Sequence, residues 1–419
     1  MIAPEVLGWL SLASAGFGSF FLALKNSWVW DVVLVAFGVR ALAALFHFYV
    51  APLPDGTADA ISFEAQAWEW ARAGLWSALS AFPGIDSYFY AWCAALIYAL
   101  TDRSLLLLQS INVFAGVLGV LVTWMVAREL WGERAARKVA WVMALFPMVV
   151  QYGALPMREV WFVLFFMVGA LGAIRWARGG GATAMGLTVG GFVAATFFHG
   201  GAIVGLLGFF GVLGAGAFRR WWAGVARGRL RVVASLAILG VLGLAVAYVV
   251  TGVSIHKLGT AEQMVSTERW MFYFESRVVG GARYPEWTQP QGATDFIWAV
   301  PLRAAYLLFA PFPWDLREPA LVIGLIDALF YLALVVLVWR GRRAIWNDPG
   351  GRMLFLILVP LIFAYGVGTG NFGTGLRHRA KFAGALIALA APHLPRLIWW
   401  RRSVPSSRSA AVPRELAAR

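Results

Sequence analysis

Cysteine and charge are both scarce in this chain. One cysteine, Cys93, among 419 residues excludes an internal disulfide and any cysteine-built metal site. Charged residues make up 13% of the chain, against roughly 25% in soluble domains. No Walker A loop, HExxH helix, GxSxG elbow or dinucleotide fingerprint occurs, so nothing points to nucleotide-driven work. The first residues lack the basic n-region of a cleaved signal peptide, and the first apolar run reads as a retained helix.

Hydrophobic residues are what the chain has instead, at 61%. A spanning helix needs about 20 mostly apolar residues, and runs of that kind recur along the whole length. The expected fold class is therefore all-α, a polytopic membrane protein. Spans are predicted at 6–24, 28–50, 104–127, 138–153, 158–175, 183–199, 201–218, 232–250, 319–340, 353–369 and 382–399, about eleven in all. Two further apolar stretches, 85–100 and 296–313, are short or broken, the second by Pro301 and Arg303. They read as interfacial or re-entrant helices. One membrane domain over 1–402 is expected, with external loops at 51–103 and 251–318 and a disordered cytoplasmic tail at 403–419.

A formal charge of +14 raises the question of a nucleic-acid partner. The distribution argues against one. With the spans above, one set of loops collects 22 Lys and Arg against four acids, and the other holds 12 cations and 15 acids. Lys and Arg excess marks the cytoplasmic side. The C-terminal tail is then cytoplasmic, the N-terminus is outside, and most of the positive charge is topology. Three ionisable residues fall inside or at the edge of spans: Asp31, Arg40 and Asp327. Such charges are costly in lipid and need a partner. Arg40 and Asp327 are expected to pair with each other, or Arg40 to touch a lipid phosphate.

The outer face collects the unusual residues. The stretch PLPDGTADAISFEAQAWEWARAG, Pro52 to Gly74, sets Asp55, Asp59, Glu64 and Glu69 into an otherwise apolar region. Pro54 and Gly56 place a turn at Asp55, and Asp59 is suited to cap the helix that follows. That helix carries a rough apolar stripe and two tryptophans, so it reads as amphipathic and lying on the membrane. A capped surface helix with solvated acids is the plain alternative. GALPMREV places Arg158 and Glu159 at a helix mouth, and FFHGGA places His199 in a tight turn. GTGNFGTGLRHRAKF places Arg377, His378, Arg379 and Lys381 behind a glycine-rich loop. Positive-inside logic disfavours such an outward cationic cluster unless an anion compensates it. Arginine forks suit phosphate oxygens. Anchoring of Arg377 and Lys381 at headgroups is the alternative. In the long 251–318 loop, aromatics including Tyr284 and Trp287 sit among mixed charges, a composition suited to sugar rings and equally to a membrane interface.

Two stretches carry a resemblance. DAISFEAQAWEWARAGLW after an N-terminal span, and the following YAWCAALIYALTDRSLLLLQSINVFAGVLGVLVTWMVARELWGERAARKVAWVMALFPMVV, resemble the GT-C superfamily of membrane glycosyltransferases. The similarity is to the protein O-mannosyltransferase and lipid A aminoarabinose transferase groups and their relatives in bacterial surface-polysaccharide loci. It covers about residues 45–200. The family pattern sets an Asp in the first external loop, an aromatic four residues on and a small residue eight on; Asp59, Phe63 and Ala67 match. LTDRS, Asn112 and ARELWGERAAR follow the pattern, and TGLRHRAKF is similar to basic motifs of bacterial members. Many members carry Asp-Glu at the key position, where this chain has Asp59-Ala60.

The resemblance implies an enzyme of the bacterial plasma membrane, with its site on the extracytoplasmic face and no nucleotide. It would move a sugar from a polyprenyl phosphate or diphosphate to a saccharide or lipid acceptor. Asp59 would be the general base, with Asp55 as its substitute or as a partner in holding a divalent cation. Arg158, Arg377, His378, Arg379 and Lys381 would bind the donor phosphate. Glu159, His199, Arg40, Tyr284 and Trp287 are further candidates for substrate contact. A repeat-unit polymerase or ligase fed by a diphosphate-linked oligosaccharide is the alternative within the class, and a flippase for lipid-linked sugars the alternative outside it.

Overall fold

The computed structural model describes residues 3–227, 250–251, 260, 262–263, 266–278 and 280–395, together with Ser235. Those residues are helical throughout, apart from turns, loops and one isolated antiparallel bridge between Arg283 and Asn371. The predicted span at 232–250 falls, but for Ser235 and Val250, outside the described residues. The same holds for the tail at 403–419 and the end of the last predicted span.

Two helices open the fold, α1 (Pro4–Lys25) and α2 (Trp30–Tyr49). A polar excursion follows with three short helices, α3 (Asp59–Ala71), α4 (Leu75–Ser80) and α5 (Phe89–Leu100). The central pillar is α6 (Leu105–Trp131), capped by the Ser104 side chain, which accepts from Leu107 N at 3.4 Å, and stopped at Gly132 with φ 78°. Most of it is buried, against α1, α2 and α9 (Glu159–Ala177). Next come α10 (Ala182–Phe198) and α11 (Ile203–Val225). The C-terminal half holds α12 (Thr267–Glu275), α13 (Phe296–Phe309), α14 (Ala320–Arg340), α15 (Arg342–Asn347), α16 (Pro349–Val367), α17 (Phe372–Ala380) and α18 (Ala383–Ala390).

Seven of the described helices are long and apolar enough to cross a membrane: α1, α2, α6, α9, α11, α14 and α16. Three shorter apolar helices accompany them, α5, α10 and a segment through α18. The outward side chains of α1 and α14, such as Phe17, Leu24, Ile326 and Leu329, are exposed large apolar groups. Lipid is the solvent that suits them. Between α9 and α10 the backbones touch. A Cβ on Gly191 would stand 2.3 Å from Gly169 N, so this crossing tolerates only glycine.

The structure redraws part of the expected span pattern. The stretch read as one span at 138–153 is two helices, α7 (Glu133–Leu145) and α8 (Pro147–Ala154), hinged at Phe146. Proline cannot donate the bond that would join them, and the residue before it turns extended, here with ψ 117°. The last predicted span, 382–399, opens with the short α18, which gives way to a single 3-10 turn at Ala391–His393, while α17 lies wholly before it.

The hinge explains Arg40. Without an N–H on Pro147, the carbonyl of Met143 loses its helical partner, and Ala144 lies in the same frayed turn. Arg40, fully buried on α2, supplies the missing donors: its Nη2 reaches Met143 O at 3.2 Å and its Nη1 reaches Ala144 O at 3.0 Å and Ala36 O at 3.1 Å. The expected pairing of Arg40 with Asp327 is therefore corrected, and so is its role in substrate contact. Asp327 on α14 pairs instead with Arg379 Nε at 2.6 Å.

The inter-loop ion pairs fall into two groups. Loops of the cation-rich set meet one another through Asp31–Arg137, Glu129–Arg175 and Arg178–Asp348. Loops of the other set meet through the contacts of Arg377 with Asp55 and Asp59, while Glu64–Arg103 closes the first of those loops on itself.

Candidate active site

The four carboxylates of the opening excursion part company in the fold. Glu69 forms an exposed pair with Arg72 one turn along α3. Glu64 is clamped: Arg103 donates from Nε to Oε1 at 2.9 Å and from Nη2 to Oε2 at 2.7 Å, and the Tyr98 hydroxyl donates at 3.0 Å. This fork ties α3 to the end of α5 and the start of α6. Asp55 and Asp59 turn the other way and share one guanidinium.

Asp55 sits in the left-handed region with φ 61°, a conformation that Asp tolerates better than most residues. The turn around it is tight, since a Cβ on Gly56 would stand 2.5 Å from the His47 ring and 2.8 Å from Leu53 O. His47 Nδ1 accepts from Leu53 N at 3.0 Å, and Gln151 Nε2 donates to Pro54 O at 3.0 Å. The turn thus presents the Asp55 carboxylate to the Tyr152 hydroxyl, which donates to Oδ2 at 2.8 Å. Asp59 is the first residue of α3. The expected capping role is corrected: the cap position is Ala58, and no side chain caps the helix. The Asp59 carboxylate is directed at Arg377 instead, accepting from Nη1. Arg377 Nε lies 3.9 Å from Asp55 Oδ2. Residues 318 apart in the chain so form one charge cluster.

Arg377 is carried by α17, whose start is built by Asn371. The Asn371 side chain accepts from Gly373 N at 2.9 Å and Thr374 N at 3.4 Å. Burial opposes the Arg377 charge, but Glu159, Asp59 and Asp55 outweigh it and hold its pKa above the ordinary value. Glu159, at the mouth of α9, is buried. Lys381 Nζ lies 3.6 Å from it, and its two oxygens accept no hydrogen bond among the described residues.

Arg158 precedes Glu159. It donates from Nη1 to Ser87 O at 3.0 Å and lies over the Phe63 ring at 5.3 Å, while its buried Nε has no acceptor among the described residues. The turn that carries it is tethered to the central pillar. Asn112 on α6 donates to Leu155 O at 2.6 Å and Met157 O at 2.9 Å, and accepts from Trp161 Nε1 at 2.8 Å.

His378 follows Arg377 on α17 and is half-buried. Its Nδ1 is 2.7 Å from the Thr369 hydroxyl, and its ring meets those of Tyr365 and His199 edge-on at 5.0 and 5.2 Å. His199 accepts from Gly201 N at 3.3 Å and lies 2.6 Å from the Tyr365 hydroxyl. Desolvation, followed by the fields of Lys381, Arg377, Arg158 and Arg277, pushes the His378 pKa well below the ordinary value. A neutral imidazole is not a phosphate-binding cation. Because the unfolded chain binds the proton more readily, folding stability contributed at this site is present at neutral pH and falls as pH drops below about 6.5. Thermal unfolding of the solubilised protein at pH 5 and pH 7.5 should show that loss, and His378→Asn should reduce it.

Arg379 does not join the site. It is fully buried, and its donors go to Asp327 Oδ2, Ala310 O at 2.5 Å and Gly324 O at 2.8 Å. Tyr284 and Trp287 also stand apart, in a separate cleft against the start of α17. Asp55 and Asp59 are engaged by Arg377 and Tyr152, and among the described residues no cluster of three or more His, Cys, Asp or Glu could hold a metal ion.

An apolar groove of about 510 Å³ lies between α5, α6, α9 and α10, walled by Phe89, Ile97, Leu108, Trp161, Phe165 and Phe197. Two of its helices also bear residues of the site: Trp161 shares α9 with Glu159, and Phe198 at the end of α10 precedes His199. Sequence reasoning missed Tyr152, Tyr365 and Thr369. No local pattern marks them. Gln109 and Asn112, three residues apart on an apolar span, were a readable signal of an internal polar task.

No protein-family model, no curated protein and no solved structure matches the chain.

Proposed function

We propose that this protein is a membrane glycosyltransferase that moves a sugar from a polyprenyl-phosphate donor to an acceptor at the extracytoplasmic face of the bacterial plasma membrane. The observation that carries the reading is the meeting of Asp55 and Asp59 with Arg377, in the neighbourhood of Arg158 and Lys381, in a fold that also holds a groove lined by apolar side chains. An amphiphile with an anionic head and a long hydrocarbon tail matches both halves. The tail would occupy the groove, and the phosphate would meet Arg377 and Arg158, whose buried Nε has no acceptor among the described residues. The bias of Lys and Arg toward the opposite loops supports an extracytoplasmic setting for the site.

The chemistry asks for two services. A carboxylate removes the proton from the acceptor hydroxyl as the new glycosidic bond forms. Cations stabilise the charge that develops on the departing lipid phosphate. In the resting pair Arg377 neutralises Asp59. An incoming phosphate competes for that guanidinium and releases the Asp59 carboxylate to act as base. Asp59 is the more exposed acid of the two, so it suits the acceptor side, while Asp55, held by Tyr152, orients Arg377.

Reconstitution in vesicles tests this. Purified protein given a polyprenyl-monophosphate-linked sugar is expected to release free polyprenyl phosphate and form a new glycoside. A diphosphate-linked oligosaccharide should be a poorer donor. Movement of the donor across the bilayer without cleavage would refute the enzyme and favour a flippase.

A further inference from the structure

A second concave site lies on the 251–318 segment, away from the Asp–Arg cluster. It is a cleft of about 320 Å³, within the range of small-molecule sites. Trp287 and Trp314 stand on it, 59% and 70% exposed. Arg283, Glu286 and Arg317 complete its rim, with charges of both signs, and the buried Asp315 lies below them.

The cleft is built, not incidental. The two indoles are joined by a run of ring contacts: Trp287 on Tyr306 at 5.7 Å, Tyr306 on Phe312 at 5.2 Å, and Phe312 stacked on Trp314 at 4.8 Å. Asp315 fixes the turn beneath Trp314 by accepting from Phe312 N at 3.0 Å. Tyr284 forms the floor. It is buried, its ring packs on Tyr306 and Phe372, and its hydroxyl has no hydrogen-bond partner among the described residues.

The floor is also joined to the helix that carries Arg377. Tyr284 N donates to Gly370 O at 2.9 Å and Phe372 N to Ala282 O at 2.8 Å, around the Arg283–Asn371 bridge. Arg377 follows Asn371 by six residues along α17, roughly 9 Å at the helical rise. The cleft and the charge cluster thus stand at the two ends of one short helix.

We infer that this cleft binds a saccharide, with Trp287 and Trp314 stacking on sugar rings and the charged rim bonding to their hydroxyls. Sugar rings have apolar C–H faces and polar edges, which is the pairing the cleft offers. A purely lipid-facing role suits the indoles but leaves the concavity and the mixed-charge rim without purpose. On the glycosyltransferase reading, a glycan held here would extend toward Asp59, so the cleft would be the acceptor's outer subsite. That last step rests on the proposed activity; saccharide binding itself does not.

The test separates the two. Purified full-length protein is titrated with short neutral and uronic-acid-containing oligosaccharides, followed by saturation-transfer NMR. Saturable binding is expected, weakened at least about tenfold in the Trp287→Ala/Trp314→Ala double variant and unchanged in Arg377→Ala. Trp314→Phe, which keeps a flat face, should retain most of the binding. Absence of binding across the panel, or binding indifferent to the double variant, would overturn the inference. So would quenching of these indoles by brominated lipid in vesicles, which would mark them as bilayer anchors. Glycan binding without any donor cleavage would keep the cleft and remove the enzyme.

Discussion

Asp59→Asn is expected to lower sugar transfer by about 10²–10⁴-fold, the usual contribution of a positioned general base. Asparagine keeps the size of the side chain and can still accept from Arg377, so the local geometry has little reason to change. It cannot take a proton from an acceptor hydroxyl. The pair with Arg377 is half-exposed on the Asp59 side, so its loss should cost little stability. Asp55→Asn is expected to have a smaller effect, because Asp55 acts through Arg377 and retains the Tyr152 hydroxyl as a neighbour. Single-turnover release of polyprenyl phosphate, measured beside thermal unfolding, distinguishes loss of chemistry from loss of fold. Full activity in both variants would sink the assignment of the carboxylates.

The second large effect is on stability. Arg379→Met should destabilise the protein by about 3–5 kcal/mol, because it leaves Asp327 buried without its counter-charge. The carbonyls of Ala310 and Gly324 lose donors as well. Asp327→Leu alone strands the arginine and should be comparably harmful. Combined, Arg379→Met and Asp327→Leu remove both charges, and thermal unfolding should recover a good part of the loss. Transfer by the double variant, corrected for folded protein, should stay near the wild-type level. A double variant that folds well but has lost donor binding would return Arg379 to the phosphate site.

These two arginines illustrate the limit of reading a basic motif. Arg377 and Arg379 stand two apart in TGLRHRAKF and look alike in sequence. On a helix, residues two apart point in different directions. Arg377 turns toward Asp55 and Asp59, whereas Arg379 turns into the α13–α14 packing. The direction in which α17 faces is set by its neighbours, and no local pattern reveals it. Arg40 shows the same limit. Its cost in an apolar helix was legible; its partners were not, because they are carbonyls exposed by a proline hinge over a hundred residues away.

Composition and hydropathy by themselves determined that this chain is helical and built for lipid. Apolar runs of spanning length have no other stable solution, since backbone groups in hydrocarbon must bond within their own segment. They also determined where polar residues are too costly to be idle, at Asp55, Asp59, Arg40 and the TGLRHRAKF segment. Only the tertiary structure decided which of those residues meet. Glu64 and Arg379 became clamps, Asp55 and Asp59 met Arg377, and a proline hinge consumed Arg40. Electrostatic partners are chosen by proximity in space, and proximity across hundreds of residues is settled by helix packing, which one-dimensional spacing does not encode.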